Sequence, residues 1–236
     1  GEANYKSLRT HLGQGLKGMG FLDSLLRMAK KEEGDVVGRV QTSSFTEWNR
    51  YPEIFAEIKN VQLHAGGIRV LSFGCSTGEE VRSLDELYLS GCDIVGIDIS
   101  MSNIIECRRR NKNINNTCAY FHSTELKIDA PFDVILAMSV LCKWPETKRR
   151  KKISSIYSFA EFEEHVMGIH RMLKVGGLFV IFNSNYFFED TDLYQAKYKP
   201  YSFHGDDQEF VRKFDIDGYI YVNRRPHRVF FQKLKD

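Results

Sequence analysis

Apolar positions along this 236-residue chain fall into two kinds of run. Short, nearly continuous stretches at 68–73, 93–98, 118–121, 132–138 and 177–183 are bounded by turn residues and read as buried strands. Between them, 79–90, 101–112 and 159–173 repeat apolar residues every three or four positions, as helices do when one face packs on a sheet. In the last of these, Phe159, Phe162, Val166, Ile169 and Leu173 share a face. Strand and helix in alternation predict an α/β fold with a doubly wound, mostly parallel sheet. Near the end, 218–222, a turn at Arg225-Pro226 and 229–233 predict a β-hairpin. It would complete seven strands and put an antiparallel strand into the sheet.

The front of the chain reads differently. Leu8, Leu12, Leu16, Phe21, Leu22, Leu25, Leu26 and Met28 make a helical pattern broken by glycines at 13, 15, 18 and 20. Two short helices around a glycine-rich bend are expected, either as a cap over the ligand side of the sheet or as a terminal extension. A linker follows at 34–38, and Pro52 opens a helix through Ile58. The expected division is an N-terminal helical cap and cofactor-covering segment over 1–60, then a ligand-binding α/β domain over 61–236.

Bulk properties narrow the class. A 42% hydrophobic content and a formal net charge of +2 exclude a disordered or collagen-like chain. Five cysteines without a C-x-x-C spacing fit a reducing compartment and argue against a disulfide framework or a zinc site. No signal-peptide pattern or bilayer-length apolar run is visible, so a cytoplasmic location, without membrane attachment, is expected. His165 and His170 lie five apart, off the i, i+4 face of a paired metal site, and no metal is expected. The run Lys148–Lys152 lacks interleaved aromatic residues and reads as a solvated face, which disfavours a nucleic-acid partner.

The candidate chemistry lies at the strand ends. After the first strand comes Gly74-Cys75-Ser76-Thr77-Gly78-Glu79-Glu80. Ser76 stands where a dinucleotide fingerprint needs its second glycine, and no Gly-Lys-Ser/Thr follows, so neither a pyrophosphate loop nor a P-loop is present. The second strand ends in Asp98, whose two carboxylate oxygens suit the vicinal hydroxyls of a ribose. Loop and acid together indicate an adenosine ligand without a pyrophosphate, with S-adenosyl-L-methionine the foremost candidate. A purely structural turn and a nicotinamide dehydrogenase are the competing readings of the loop. Cys75 reads as a small buried residue rather than a nucleophile.

The same loop resembles the first motif of the chemotaxis-receptor (protein-glutamate) methyltransferases, within the class I S-adenosylmethionine-dependent methyltransferases. Thr46-Glu47-Trp48-Asn49-Arg50-Tyr51-Pro52-Glu53-Ile54-Phe55 resembles the Thr-x-Phe-Phe-Arg-x-Pro-x-x-Phe segment of that family. The resemblance implies Thr46, Arg50 and Glu80 near the methionine end of the cofactor, and Asp98 on the ribose. At 137–145 the chain departs from the family: Ala137-Met138-Ser139-Val140 stands where Cys-Arg-Asn-Val is expected, and no receptor-docking subdomain is evident.

In open α/β sheets the ligand crevice lies beyond the carboxyl ends of the strands. The expected cofactor lining is therefore Thr46, Arg50, Gly74, Cys75, Ser76, Gly78, Glu80, Asp98, Ile99, His122, Ser123, Met138 and Ser139. For the acceptor, Trp48, Tyr51, Trp144, Asn183 and Tyr186 are the candidates, with the pocket closed by the N-terminal helices, 142–158 and 186–203. No catalytic residue can be named in advance, because methyl transfer from a sulfonium depends mainly on alignment. The expected activity is methylation of an oxygen or nitrogen, of a small molecule first and a protein glutamate second. A non-catalytic S-adenosylmethionine-binding partner protein is the reading from outside the enzyme class.

Overall fold

A computed structural model describes residues 45–61, 67–110, 118–122, 131–205, 209–223 and 225–236. The helices predicted within 1–34, the linker at 34–38 and the candidate Ser123 lie outside these residues. In chain order the elements are α1 (Pro52–Asn60), β1 (Arg69–Phe73), α2 (Glu79–Ser83), β2 (Asp93–Asp98), α3 (Met101–Arg110), β3 (Cys118–His122) and β4 (Phe132–Met138). There follow α4 (Phe159–Met172), β5 (Leu173–Phe182), α5 (Asp192–Lys197), β6 (Tyr198–Pro200) and β7 (Phe230–Lys233).

The strands form one seven-stranded sheet in the order β3-β2-β1-β4-β5-β7-β6. Strands β1 to β5 run parallel to one another, while β7 runs antiparallel to both β5 and β6. The strands alternate their side chains between two cores. Leu71, Phe73, Ile135 and Phe179 face a layer that holds Phe162, Val166 and Ile169 of α4. Val70, Ile94, Val134 and Val180 face the other layer, against Ile54, Phe55 and Ile58 of α1, Val81 of α2 and Ile104 of α3. Burial on both faces is why the central strands read as continuous apolar runs.

Two predicted elements differ from what forms. The helix expected over 79–90 ends as an α-helix at Ser83 and continues as a π turn over Leu84–Tyr88. Ser83 Oγ donates to Glu79 O (2.7 Å) and accepts from Asn49 N (2.8 Å), so a side chain enters the helical ladder just where it widens. The hairpin expected from 218–222 and 229–233 also does not form. Instead β7 pairs with β5 and with β6, while Tyr219 and Ile220 make only isolated bridges to Lys152 and Phe214. The 219–222 stretch buries little, since Tyr219 is 51% and Val222 81% exposed while Ile220 and Tyr221 are only partly covered. Tyr198 of β6 is buried, packing edge-on against Phe188. A strand's register follows the face it can bury.

α4 opens on a capping box between Ser158 and Glu161 and carries two buried histidines. His165 Nδ1 lies 3.2 Å from the Tyr157 hydroxyl, and His170 Nδ1 lies 3.0 Å from that of Tyr198. Burial pushes both imidazoles down to about 4. In the unfolded chain they titrate near 6.5, so between these limits the unfolded state binds more protons and stability falls as pH falls. The contribution of His165 is on the order of 2–3 kcal/mol. Urea unfolding at about pH 7 and about pH 4.5 is expected to show a smaller acid loss for His165→Gln than for the parent chain; equal losses would remove this assignment.

Candidate functional site

The loop after β1 turns on two glycines in left-handed backbone, Gly74 (φ +77°) and Gly78 (φ +91°). A Cβ on Gly74 would stand 2.5 Å from a methyl of Val140, and one on Gly78 would meet Cys107 Sγ and the Tyr120 ring at 3.1 Å. Only glycine satisfies both the backbone and the space. The N–H groups of Gly74 and Cys75 both donate to the carbonyl of Ile97 (2.8 and 2.9 Å), which ties the loop to the end of β2.

Ser76, at the tip, takes positive φ (+50°) and donates its N–H to Asp98 Oδ2 at 2.9 Å. The other oxygen of Asp98 accepts from Ser100 N (2.8 Å) and Asn103 Nδ2 (3.3 Å). Loop and carboxylate therefore meet, with the carboxylate partly exposed. Beside it, His122 pairs in register with Asp98, and its Nε2 donates to the carbonyl of Ile99 at 2.8 Å. That bond fixes the chain leaving β2. Cys75 is buried, and the neighbouring Cys107 thiol and burial push its own thiol well up, so it stays protonated.

A second cluster gathers at the ends of β4 and β5. Ser139 and Asn183 follow these strands directly, and both adopt left-handed backbone (φ +59° and +56°). Asn183 Nδ2 donates to Ser139 Oγ at 2.9 Å, and the Tyr51 hydroxyl shares a 2.8 Å hydrogen bond with the same oxygen. Tyr51 is brought there by the segment before α1, which is pinned by Asn49: its N–H donates to Ser83 Oγ, and its Oδ1 accepts from the Tyr88 hydroxyl at 2.8 Å.

Arg50 precedes Tyr51 and lays its guanidinium over the rings of Phe45, Tyr51 and Phe210 at 5.0, 5.1 and 5.8 Å. Its Nη1 donates to Phe45 O at 3.2 Å, and among the described residues no carboxylate forms an ion pair with it. Its charge is nevertheless felt by Glu80. Burial raises the Glu80 carboxyl to about 7, against the opposing effects of a 2.7 Å hydrogen bond from Ser72 Oγ and of the Arg50 charge. Arg50 and Glu80 thus offer opposite charges at one end of the crevice.

The other candidates divide. Met138 is buried under the end of β4, and Thr46 is partly buried in the segment leading to Arg50. Trp144 packs edge-on against Phe210, at 5.5 Å and so beside Arg50. Trp48 is exposed and lies under the Arg82 guanidinium (5.3 Å), away from Ser139 and Asn183 in its contacts. Tyr186 is fully buried between Tyr157, Phe159 and Phe162 and donates to Tyr157 O at 2.6 Å, a core position rather than a pocket wall. Of the stretches expected to close the acceptor pocket, 186–203 instead supplies α5 and the edge strand β6.

Sequence reasoning missed a group beyond β5. Glu209, nearly buried, receives Lys213 Nζ at 2.6 Å and His227 Nδ1 at 3.1 Å. Together with Phe187, Tyr221 and Pro226 these residues line a cleft of about 580 Å³. The i, i+4 spacing of Glu209 and Lys213 is visible in the sequence, but no periodic element surrounds it to give it meaning.

The strand order, the glycine loop on β1 and the acid ending β2 define a class I methyltransferase fold, whose cofactor is S-adenosylmethionine. Residues 70–177 match the family model described as a methyltransferase domain.

Among solved structures, the chain is similar to the magnesium protoporphyrin IX methyltransferase ChlM from Synechocystis, with S-adenosylmethionine bound. The two are 13% identical, over 76% of this chain and 70% of that one, with a TM-score of 0.40. YjhP from E. coli is 20% identical over 66% of this chain and 54% of its own (TM-score 0.37). The sugar N-methyltransferase KedS8 from Streptoalloteichus is 21% identical over 56% and 46% (TM-score 0.38). The chain spans about half the length of these last two. No curated protein matches the sequence.

The residues fit the cofactor of this class. Asp98 is partly exposed where the loop meets the end of β2, and Arg50 with Glu80 matches the two charges of an amino-acid end. Among the described residues no cluster of ligands could hold a metal ion, and no helix is long and apolar enough to cross a membrane.

Proposed function

We propose that this chain is an S-adenosylmethionine-dependent methyltransferase acting on an oxygen or nitrogen of a small molecule. The observation that carries this reading is the junction of loop and acid: Ser76 N–H on Asp98 Oδ2, at the carboxyl edge of β1 and β2. A ribose bound there would set its hydroxyls against the Asp98 carboxylate, with the amino-acid end toward Arg50 and Glu80. The cofactor supplies a methyl group already activated on a sulfonium. What the chain adds is orientation, worth roughly 7–11 kcal/mol in favourable cases, and a site walled by Tyr51, Ser139 and Asn183.

S-adenosylhomocysteine is expected to raise the melting temperature in a concentration-dependent way, since only the folded chain offers the site. NAD is expected to leave it unchanged. No shift with S-adenosylhomocysteine at millimolar concentration would end the proposal.

Glu80 makes the binding pH-dependent. Its carboxyl titrates near 7 in the free protein, and only the ionised form attracts the ligand's ammonium. Affinity for S-adenosylhomocysteine is therefore expected to rise from about pH 6 to about pH 8, with proton release on binding near pH 7. Calorimetry in buffers of different ionisation heat measures that release. Glu80→Gln is expected to bind more weakly and with little pH dependence, and a variant as pH-dependent as the parent would exclude Glu80 from the contact.

A further inference from the structure

The cleft beyond β5 holds a histidine in a setting that the sequence does not suggest. His227 lies just ahead of β7, which runs antiparallel to β5 with Val180 opposite Phe230 and Phe179 opposite Phe231. Continued along the chain, this register brings His227 level with Asn183, the residue that ends β5 and bonds Ser139. Glu209 completes the connection: the next residue, Phe210, donates its N–H to Asn183 Oδ1 at 3.1 Å, and Ser184 N–H points to Glu209 Oε1 at 3.4 Å. These hydrogen bonds tie the rim of the cleft to Asn183, which in turn bonds Ser139 of the wall.

The chemistry of the group is specific. Glu209 is held ionised by Lys213 and His227, whose effects together outweigh burial. Lys213 Nζ is itself anchored, on Ser184 Oγ at 2.8 Å and over the Phe187 ring. The Glu209 carboxylate, 3.1 Å away, accepts a hydrogen bond from Nδ1 of His227, which leaves the Nε2 side of the ring for a ligand. The imidazole is about one-third exposed, while its carboxylate is 5% exposed. A buried acid orienting a more exposed imidazole is the arrangement of a general base. Among the described residues, the charges near it include two pairs, Arg225 with Asp190 at 2.6 Å and Arg228 with Glu189 at 4.0 Å. Phe187, Tyr221 and Pro226 give the same cleft flat apolar walls.

Resting on the reading of the chain as a methyltransferase, we infer that this cleft takes a ring-bearing hydroxyl compound and that His227, positioned by Glu209, is its general base. The acceptor class follows from the need for a base. A carboxylate acceptor is already ionised, and a neutral amine attacks through its own lone pair, but a hydroxyl is a poor nucleophile until its proton leaves. The acceptor oxygen would lose its proton to Nε2 of His227 and form a C–O bond as the methyl's C–S bond breaks. An ether, a neutral thioether and an imidazolium result, and the imidazolium then returns its proton to water.

The test uses para-nitrophenol, whose ionised form is yellow, with the full chain saturated by S-adenosylhomocysteine. The bound phenol is expected to ionise roughly one pH unit below the free one, because the imidazolium stabilises the phenolate. His227→Gln should abolish that downshift, and Asn223→Trp, which fills the cleft, should abolish saturable phenol binding. Both variants should keep the parent's affinity for S-adenosylhomocysteine. A downshift that survives in His227→Gln, or phenol binding that is absent in the parent or survives in Asn223→Trp, would overturn the inference. Failure of the parent chain to bind S-adenosylhomocysteine would instead overturn the methyltransferase reading beneath it.

Discussion

Asp98→Ala is expected to weaken S-adenosylhomocysteine binding by about 1.5–3 kcal/mol, roughly ten- to over a hundredfold, the range for hydrogen bonds to a charged group. Two losses combine in that figure. The ribose hydroxyls lose an acceptor, and the N–H groups of Ser76 and Ser100 lose the carboxylate that orders the loop. Asp98→Asn separates them, since its amide oxygen can hold one N–H but the group carries no charge. Calorimetry on both variants should therefore rank parent, asparagine and alanine in descending affinity. An alanine variant that binds as tightly as the parent would remove Asp98 from the ribose.

Arg50→Lys is the second large effect expected. An arginine fork meets a carboxylate with two parallel hydrogen bonds, and its flat face lies over aromatic rings; lysine reproduces neither. In the structure the guanidinium rests over Phe45, Tyr51 and Phe210 without a carboxylate partner among the described residues, so its charge is not already spent on an ion pair there. The lysine variant is expected to lose about 1.5–3 kcal/mol of affinity for S-adenosylhomocysteine. Methylthioadenosine lacks the amino-acid end, and its binding should stay nearly unchanged. Equal loss for both ligands would make Arg50 a residue that shapes the fold, and no loss for either would break the link between the 46–55 segment and the cofactor.

What was legible in the sequence follows from which forces act locally. The parallel strands and α4 show themselves because burial on a sheet imposes a short period on the chain: Val70 and Leu71 must point into opposite cores whatever lies far away. The loop at Gly74 and the acid at Asp98 were legible for a related reason, since each is fixed by its place at a strand end. Pairing at the far edge was not. That β7 takes Tyr198–Pro200 as its partner and leaves 219–222 aside depends on Phe188 packing against both Tyr198 and Phe231, the second of them more than forty residues away. Tyr186 misled for the converse reason, because an aromatic residue after a strand end looks the same whether its ring turns to the crevice or to the core. The Glu209–His227 pair gave no signal, being assembled from two irregular segments that only the antiparallel strand brings level.

The left-handed backbone at Ser76, Ser139 and Asn183 also limits how this chain can be altered. Each of these residues ends or follows a strand at the crevice, so the turns that shape the site rest on non-glycine residues in a conformation that Asn, Asp and Gly tolerate best. A β-branched replacement would be penalised there by its main chain before its side-chain chemistry was tested. Ser139→Thr keeps the hydroxyl that Tyr51 and Asn183 share, yet it adds a methyl where positive φ leaves least room. A library meant to redirect acceptor choice therefore has little freedom at these three positions. The walls contributed by Phe187, Tyr221 and Asn223 carry no such restriction, and variation aimed at specificity belongs on them.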